Sequence, residues 1–193
     1  MKGTVKMKKH KIITSFKRGL AGKVGKIMLI SFSLITLCII ALAIILLVQS
    51  PGRVNPVRDK NRNVMKGSIS EKINVKINGV NMGMIIKSEN VSNPVLLFVH
   101  GGPGMPEYFL TETYPTGLEK YFTVVWWNQR GAGLSYSSDI SAKTMTTKQF
   151  VSDTISVTNY LRERFGQDKL YLMGHSWGSY IALQAAAKSR SEE

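Results

Sequence analysis

The residues with the clearest chemical potential lie near the end of the chain, in Gly174-His175-Ser176-Trp177-Gly178. This G-x-S-x-G pentapeptide follows an apolar run and precedes an Ala-rich helical pattern. A strand that turns sharply into a helix exposes the serine Oγ at the strand end, which suits nucleophilic attack on an acyl carbon. The spacing therefore predicts Ser176 as a nucleophile and the backbone N–H of Trp177 as an oxyanion donor. The alternative is a Gly-rich turn that carries an ordinary surface serine.

A second Gly-rich segment, His100-Gly101-Gly102-Pro103-Gly104, follows the apolar run PVLLFV. Glycines let the backbone approach a substrate carbonyl closely and point an N–H toward it. We therefore expect Gly102 to supply the second oxyanion donor opposite Ser176. An ordinary Gly-Pro loop is the alternative, and the presence of both motifs in one chain favours the functional interpretation.

A third segment, WWNQRGAGLS, spans residues 126–135 and places Arg130 in a Gly-rich loop after a strand. An arginine at this place could bind an anion or brace neighbouring loops. We favour bracing.

The elements needed to position these loops can be inferred from hydrophobic periodicity. Alternation over 72–77, the Asn78-Gly79 turn signal and the run at 82–88 predict an antiparallel hairpin. Continuous apolar runs are typical of strands buried in a parallel sheet; they occupy 94–100, 122–128 and 169–175. Helical patterns occupy 108–120 (broken at Pro115), 147–165 and 179–188. Strands that alternate with helices predict an α/β fold with a mostly parallel sheet and an antiparallel hairpin at its start.

Together the three motifs resemble the proline iminopeptidase branch of the α/β hydrolases. That family pairs HGGPG with a D-Q-R-G-x-G-x-S loop and a G-G-S-W-G-S elbow. Here Asn128 replaces the aspartate and His175 replaces a glycine, so strict proline specificity is not implied. The resemblance covers about residues 67–189 and implies the N-terminal half of an α/β-hydrolase fold. The implied activity is that of a serine hydrolase acting on amide or ester bonds, with short peptides as substrates.

The catalytic acid and histidine of this fold follow the serine along the chain. Only 17 residues follow Ser176, and they contain no histidine. The three histidines are His10 in the basic tail, His100 in the first Gly-rich loop, and His175 beside the serine; none is a credible base. We therefore expect a truncated domain that is inactive alone, and its status as an enzyme stays open. The alternative is a non-catalytic remnant, or half of a split assembly completed by a partner chain.

An uncharged apolar run of 22 residues occupies 27–48 and is long enough to cross a bilayer. Residues 1–26 carry nine Lys or Arg and no acid. This bias predicts a single-pass anchor in the cell membrane, with a cytoplasmic N-terminus and the hydrolase part outside. A cleaved signal peptide is the alternative. The tail then serves topology and contacts anionic lipid, so a nucleic-acid partner is not expected.

Residues 49–66 are rich in Pro, Asn and charge and are interpreted as a linker to a hydrolase domain over 67–193. The one cysteine, Cys38, lies in the apolar run, so an intrachain disulfide is excluded. Three scattered histidines form no metal-binding pattern, and no nucleotide-binding signature is present. We expect no metal and no cofactor, with the lipid bilayer and a small peptide or ester as partners.

Overall fold

The computed structural model describes the backbone of residues 2–49, 52 and 54–191, and the side chains of 22–47, 52 and 54–190. The chain forms two compact units, Met1–Gly52 and Arg53–Glu193. The basic side chains predicted to set the topology before residue 22 lie outside the described side chains. So do parts of the predicted linker, at residues 50, 51 and 53, and the last two residues of the predicted domain.

The first unit consists of one helix, α1, over Lys2–Gln49. Its stretch Gly22–Leu47 has a mean hydropathy of 2.9, and none of its apolar window is buried. This stretch is long and apolar enough to cross a membrane, and it overlaps the predicted span at 27–48. The ability to cross a membrane is inferred from length and composition alone. An N-terminal signal sequence can have the same length and composition.

The second unit is built on one five-stranded sheet with the order β1-β2-β4-β3-β5. The strands are β1 (Ile69–Ile77), β2 (Val80–Ser88), β3 (Val95–Val99), β4 (Thr123–Trp127) and β5 (Tyr171–Gly174). β2 runs antiparallel to both β1 and β4, whereas β3 runs parallel to β4 and β5. Four of the five strands therefore share one direction, and the predicted α/β fold with an antiparallel hairpin at its start is confirmed.

Three helices follow α1 along the chain: α2 (Tyr108–Thr113), α3 (Thr147–Phe165) and α4 (Trp177–Ser191). α3 has the predicted bounds because its ends carry clear signals. The Thr146 side chain accepts a hydrogen bond from the Gln149 N–H, and Gly166 ends the helix in the left-handed region. α2 ends at Thr113, since the residue before Pro115 is disfavoured in a helix.

The sheet buries apolar side chains on both faces. In β4 the side chains alternate: Val125 and Trp127 join the cluster packed against α3 and α4, while Val124 and Trp126 join the cluster on the other face. On that other face the Tyr108 ring meets Trp126 edge to face, with 5.2 Å between ring centroids. The buried runs of β3 and β4 are thus covered on both sides, as predicted from their continuous apolar sequence.

β5 differs from the prediction of a third buried strand. Tyr171 is 59% exposed and Met173 is 44% exposed. Within the described residues β5 pairs only with β3, so it forms an edge of the sheet. An apolar run indicates that its side chains favour burial, but it does not indicate which neighbouring element covers them.

Residues 54–66, which the sequence predicts as part of a linker, belong to the second unit and have local structure. An isolated antiparallel bridge joins Arg58 to Val64. The carbonyl of Asn55 accepts a hydrogen bond from Ser70 Oγ at 2.6 Å, which ties the segment to β1. Val54 packs against the second apolar cluster. This stretch is therefore attached to the sheet.

Candidate active site

Ser176 stands at the turn between β5 and α4 and has φ +51°, a left-handed conformation that is rare outside glycine. Its residue surface is exposed. The turn is tight: a Cβ on Gly178 would lie 1.9 Å from the Val99 carbonyl oxygen, and one on Gly174 would lie 2.5 Å from the Ser179 Cα. The two glycines are needed so that α4 can start directly against the end of β3. Strain of this kind is typical of a nucleophile elbow.

The two predicted oxyanion donors are Trp177, which follows Ser176, and Gly102 in the first Gly-rich loop. Within the described residues, neither the Trp177 N–H nor the Gly102 N–H has a hydrogen-bond acceptor. Gly102 has φ +116°, a backbone conformation that favours glycine. Its neighbour Gly101 lies against Ser176, since a Cβ on Gly101 would lie 3.2 Å from the Ser176 Cβ. The geometry leaves both amides available, and their role in binding an oxyanion stays a prediction.

The Trp177 side chain anchors the start of α4. Its ring meets Phe150 of α3 edge to face, at 6.2 Å between centroids, and lies 5.5 Å from the Tyr180 ring. Aromatic contacts of this geometry add to the apolar area that the rings bury. The backbone amide of Trp177 is thereby held at the elbow.

His100 is a buried brace between the first Gly-rich loop and the loop after β4. Its Nε2 accepts the Gln129 backbone N–H at 3.0 Å, and its Nδ1 lies 2.9 Å from the Gly101 carbonyl oxygen. The Gln129 side chain returns a hydrogen bond to the His100 carbonyl at 2.6 Å. These partners require a neutral imidazole with the proton on Nδ1. Burial lowers the pKa of His100, against the opposing effects of the Gly101 carbonyl and the Glu107 carboxylate.

Arg130 is buried and forms a bidentate ion pair with Asp153 of α3. Its Nε and Nη2 donate to the two carboxylate oxygens at 2.7 and 2.9 Å. Nη2 also donates to the Asn78 carbonyl in the β1–β2 turn, at 3.3 Å. The guanidinium therefore joins the loop after β4 to a helix and a hairpin. The structure confirms bracing rather than an open anion site, because both carboxylate oxygens already occupy the guanidinium.

Asn128, which replaces an aspartate of the resembling family, organises the same loop from inside. Its side-chain oxygen accepts the Leu134 N–H at 2.8 Å, and its carbonyl accepts the Ser135 hydroxyl. Gly133 is required here, since a Cβ would lie 2.3 Å from the Asn128 side-chain oxygen. An amide can occupy this place because the contact with the Leu134 N–H needs only an acceptor oxygen.

His175, the other departure from the family pattern, reaches across to the first Gly-rich loop. Its Nδ1 lies 2.6 Å from Glu107 Oε1; the histidine side chain is 65% exposed and the glutamate side chain 11% exposed. Glu107 Oε1 is also 3.3 Å from the position that a Gly101 Cβ would occupy. A carboxylate thus lies near the turn that carries Ser176, with an imidazole as its partner.

The two histidines near Ser176 among the described side chains have other partners. Both ring nitrogens of His100 are engaged, and the Nδ1 of His175 faces Glu107. No hydrogen bond joins the Ser176 hydroxyl to either ring within that part of the chain. That no histidine of this chain serves as the base stays a prediction.

The contacts of Glu107, Gln129 and Asp153 were not predicted from the sequence. For Asp153 a signal existed: it lies on the apolar face of α3, beside Phe150 and Val157, and is fully buried. An acid at such a position needs a cationic partner, and Arg130 was the arginine already noted. Glu107 and Gln129 carried no comparable signal, because their partners are set by how the loops pack.

Comparison with known proteins agrees with this architecture. A family model described as "alpha/beta hydrolase fold" matches residues 94–192. The probable aminopeptidase YbaC of Bacillus subtilis is 49% identical over 118 residues, which is 61% of this chain and 37% of that protein. A proline iminopeptidase of Thermoplasma volcanium is 34% identical over 115 residues, or 59% of this chain and 37% of that protein.

Among solved structures, a proline iminopeptidase-related protein from Thermus thermophilus superposes with a TM-score of 0.53 at 29% identity. The match covers 62% of this chain and 41% of that one. The chain thus spans well under half the length of these relatives. The elbow and the two Gly-rich loops lie within residues 94–192, and the family model covers half of the chain. The chain belongs to the α/β-hydrolase family, in its proline iminopeptidase-like branch.

Proposed function

We propose that this chain is the nucleophile-bearing part of a membrane-anchored serine hydrolase that cleaves amide or ester bonds, with short peptides as substrates. The observation that carries the proposal is Ser176 itself, exposed at positive φ on a glycine-packed turn between β5 and α4. The relatives support the substrate class, since those compared above are aminopeptidases or proline iminopeptidases by name.

In the proposed reaction Ser176 Oγ attacks the carbonyl carbon of the substrate, and a base takes the hydroxyl proton. The amides of Trp177 and Gly102 then donate to the oxyanion. The acyl-enzyme forms as the amine or alcohol leaves with a proton, and water releases the acid. A hydroxyl without a base is a weak nucleophile; removing the histidine of a serine protease lowers kcat by about 10⁶. The 193-residue polypeptide therefore needs a histidine from outside these residues.

The first test is hydrolysis of aminoacyl arylamides by the 193-residue polypeptide and its Ser176→Ala variant. We expect both to show the background rate. Enzyme-like hydrolysis that disappears in Ser176→Ala would show that a base exists within the chain, and would contradict the need for a further histidine.

The second test supplies the missing groups. The chain would be continued with the part of YbaC that follows its region of similarity, because the two proteins are 49% identical over their shared residues. We expect arylamide hydrolysis that is lost in Ser176→Ala and retained in Ser138→Ala, an exposed serine remote from the elbow. A folded, inactive chimera would count against the proposed nucleophile.

Membrane anchoring through Gly22–Leu47 is part of the same proposal. It is supported by the mean hydropathy of 2.9 and by the nine basic residues that precede residue 27. We expect the chain to stay in the membrane fraction after alkaline extraction. A cysteine at position 138, in a Cys38→Ser background, should react with an impermeant reagent added outside. Release by alkali, or labelling only after lysis, would contradict the anchor or its orientation.

A second candidate function is a split assembly in which a partner chain completes the sheet. It is favoured by the exposed apolar residues beside the elbow, Tyr171 and Met173 on β5 and Leu183 on α4, which is 72% exposed. An unpaired strand edge of this kind accepts a further strand. Crosslinking and purification from native membranes should then recover a stoichiometric partner that supplies an acid and a histidine. Recovery of the chain alone would rule this out.

A further inference from the structure

A cluster of exposed cations lies at the start of the second unit and has no part in the site described above. We call residues 58–66 the basic loop. It contains four cations and one acid, and all five are exposed: Arg58, Asp59, Lys60, Arg62 and Lys66. The Asp59 carboxylate accepts the N–H groups of Asn61 and Asn63 at 2.9 and 2.8 Å, so it is turned into the loop. The outer surface of the loop is therefore strongly positive.

The basic loop is an ordered structure rather than a solvated charge run. Its ends meet in the bridge between Arg58 and Val64, and the Met65 N–H donates to the Val57 carbonyl at 3.0 Å. The Arg58 guanidinium donates to the Arg62 carbonyl at 2.7 Å. Within the described residues the side chains of Lys60, Arg62 and Lys66 have no partner. Three cations are thus presented on a preformed turn, which lowers the entropic cost of binding a surface.

The basic loop is also fixed to the sheet. Asn55, just before it, bonds to Ser70 of β1 and donates to Glu112 of α2 at 3.1 Å. Just after it, the Gly67 carbonyl accepts the Val91 N–H at 2.9 Å. Any surface that holds the basic loop therefore holds the whole domain. Val64, 58% exposed at its edge, adds an apolar side chain to the cations.

The position of the basic loop in the sequence indicates which surface it binds. Arg58 follows Leu47, the end of the apolar stretch, by 11 residues. A fully extended chain advances at most about 3.6 Å per residue, so the loop stays within roughly 40 Å of the membrane. We propose that the basic loop docks on the anionic phospholipid headgroups of the membrane and holds the hydrolase domain against it. This inference rests on the proposed membrane anchoring. Clusters of Lys and Arg next to a span are attracted to anionic lipid in this way.

The test places the full chain in nanodiscs and measures how accessible a fluorescent label is to an aqueous quencher. In a Cys38→Ser background, one protein carries the label at Asn61→Cys within the loop. The other carries it at Ser138→Cys. That residue belongs to the 137–144 loop, which lines a cleft with the β1–β2 turn. The nine residues of β1 separate this end from the basic loop by roughly 30 Å.

In discs that contain phosphatidylglycerol we expect the label at 61 to be several-fold better protected than in discs of phosphatidylcholine alone. High salt should abolish the difference, since screening weakens surface electrostatics. The label at 138 should not respond to lipid charge. Equal quenching of the label at 61 in both kinds of disc would overturn the proposal.

A charge variant assigns the effect to the basic loop. Lys60→Gln, Arg62→Gln and Lys66→Gln together spare Arg58, whose guanidinium holds the loop closed. This triple variant should lose most of the several-fold protection that phosphatidylglycerol gives. The matched control, Lys143→Gln, Lys148→Gln and Lys169→Gln, removes the same charge from exposed sites elsewhere. Similar behaviour of the two triple variants would refute a specific docking surface. Release of the chain from membranes by alkali would contradict the anchoring, and with it this inference.

Discussion

The elbow and the loop after β4 are held in place by opposite means. At the elbow, Gly174 and Gly178 allow backbone to press on backbone, and a Cβ at Gly178 would overlap the Val99 carbonyl. In the loop after β4, buried polar side chains make the connections: Arg130 binds Asp153, and Gln129 binds His100. One loop is positioned by the absence of side chains, and the other by partners that lie far away in sequence.

This difference predicts how each loop fails. At the elbow, a side-chain atom added to Gly178 would overlap backbone atoms of Val99. Those atoms cannot rotate away, so α4 must move away from β3. A polar network can lose one member and leave the others buried without a partner, which carries a desolvation cost. All three tryptophans lie in the hydrolase unit. Their fluorescence can therefore report unfolding of this unit in the full chain, held in nanodiscs and titrated with urea.

The largest effect is expected from Gly178→Ala. The new Cβ would meet backbone oxygens of Val99 at 1.9 Å and of His100 at 2.6 Å, and neither can rotate away. We expect the free energy of unfolding to fall by about 4 kcal/mol or more. The control, Gly166→Ala, has positive φ but no atom within 4 Å of its Cβ, and should cost about 1 kcal/mol. Equal losses would show that the elbow is not sterically locked.

Breaking the polar brace with Arg130→Met is expected to cost about 3 kcal/mol. The substitution leaves the Asp153 carboxylate, which is fully buried, without its cation. Adding Asp153→Leu should restore part of the loss, because the unpaired charge is then removed. If the double variant were less stable than the single one, the carboxylate would not be the source of the cost.

His100 should make stability depend on pH. Because burial lowers its pKa in the folded state below the ordinary 6.5, the unfolded chain takes up the proton first. The contribution of His100 to the free energy of unfolding should therefore be constant above about pH 6.5. It should decline as the pH falls below that value. Urea midpoints at pH 7.5 and 5.5 measure the decline. His100→Gln should flatten it, whereas His175→Gln should not.

The smallest effect is expected from Glu107→Gln, which weakens the contact between the first Gly-rich loop and the elbow. The His175 side chain is 65% exposed, so water screens the pair. We expect a change of less than about 1 kcal/mol in the free energy of unfolding. A loss as large as that of Arg130→Met would make Glu107 a second structural brace, and would remove the contrast between the two loops.

Much of the fold could be predicted from local patterns. The β1–β2 hairpin has its turn signal at Asn78-Gly79, and α3 has its cap at Thr146 and its Gly stop at 166. These signals act over a few residues, so they survive in the sequence. The exposure of β5 could not be predicted in the same way. Burial of Tyr171 and Met173 depends on which elements lie beside the strand, and that is a property of the assembled sheet.

The candidate site likewise contains residues that local patterns predict and residues whose contacts depend on packing. Ser176, Trp177 and Gly102 were predicted from motifs because steric demands restrict a tight turn to glycine and a small nucleophile. The partners Glu107, Gln129 and Asp153 were not, because each meets its neighbour across a loop or a helix. Asn128 and His175 were noted only as departures from a pattern; their contacts with Leu134 and Glu107 appear in the folded chain.

The sequence by itself determined the succession of strands and helices along the chain, the glycine-flanked turn that carries Ser176, and the apolar stretch at 27–48. These features depend on residue type and short spacing, which the chain carries wherever it folds. The tertiary structure decided that Arg130 joins the loop after β4 to α3 and the hairpin. It also decided that His100 is a neutral, buried brace between two loops, and that β5 lies at an edge. Each of these depends on which groups are brought together through space, and that is decided only when the sheet and its helices pack.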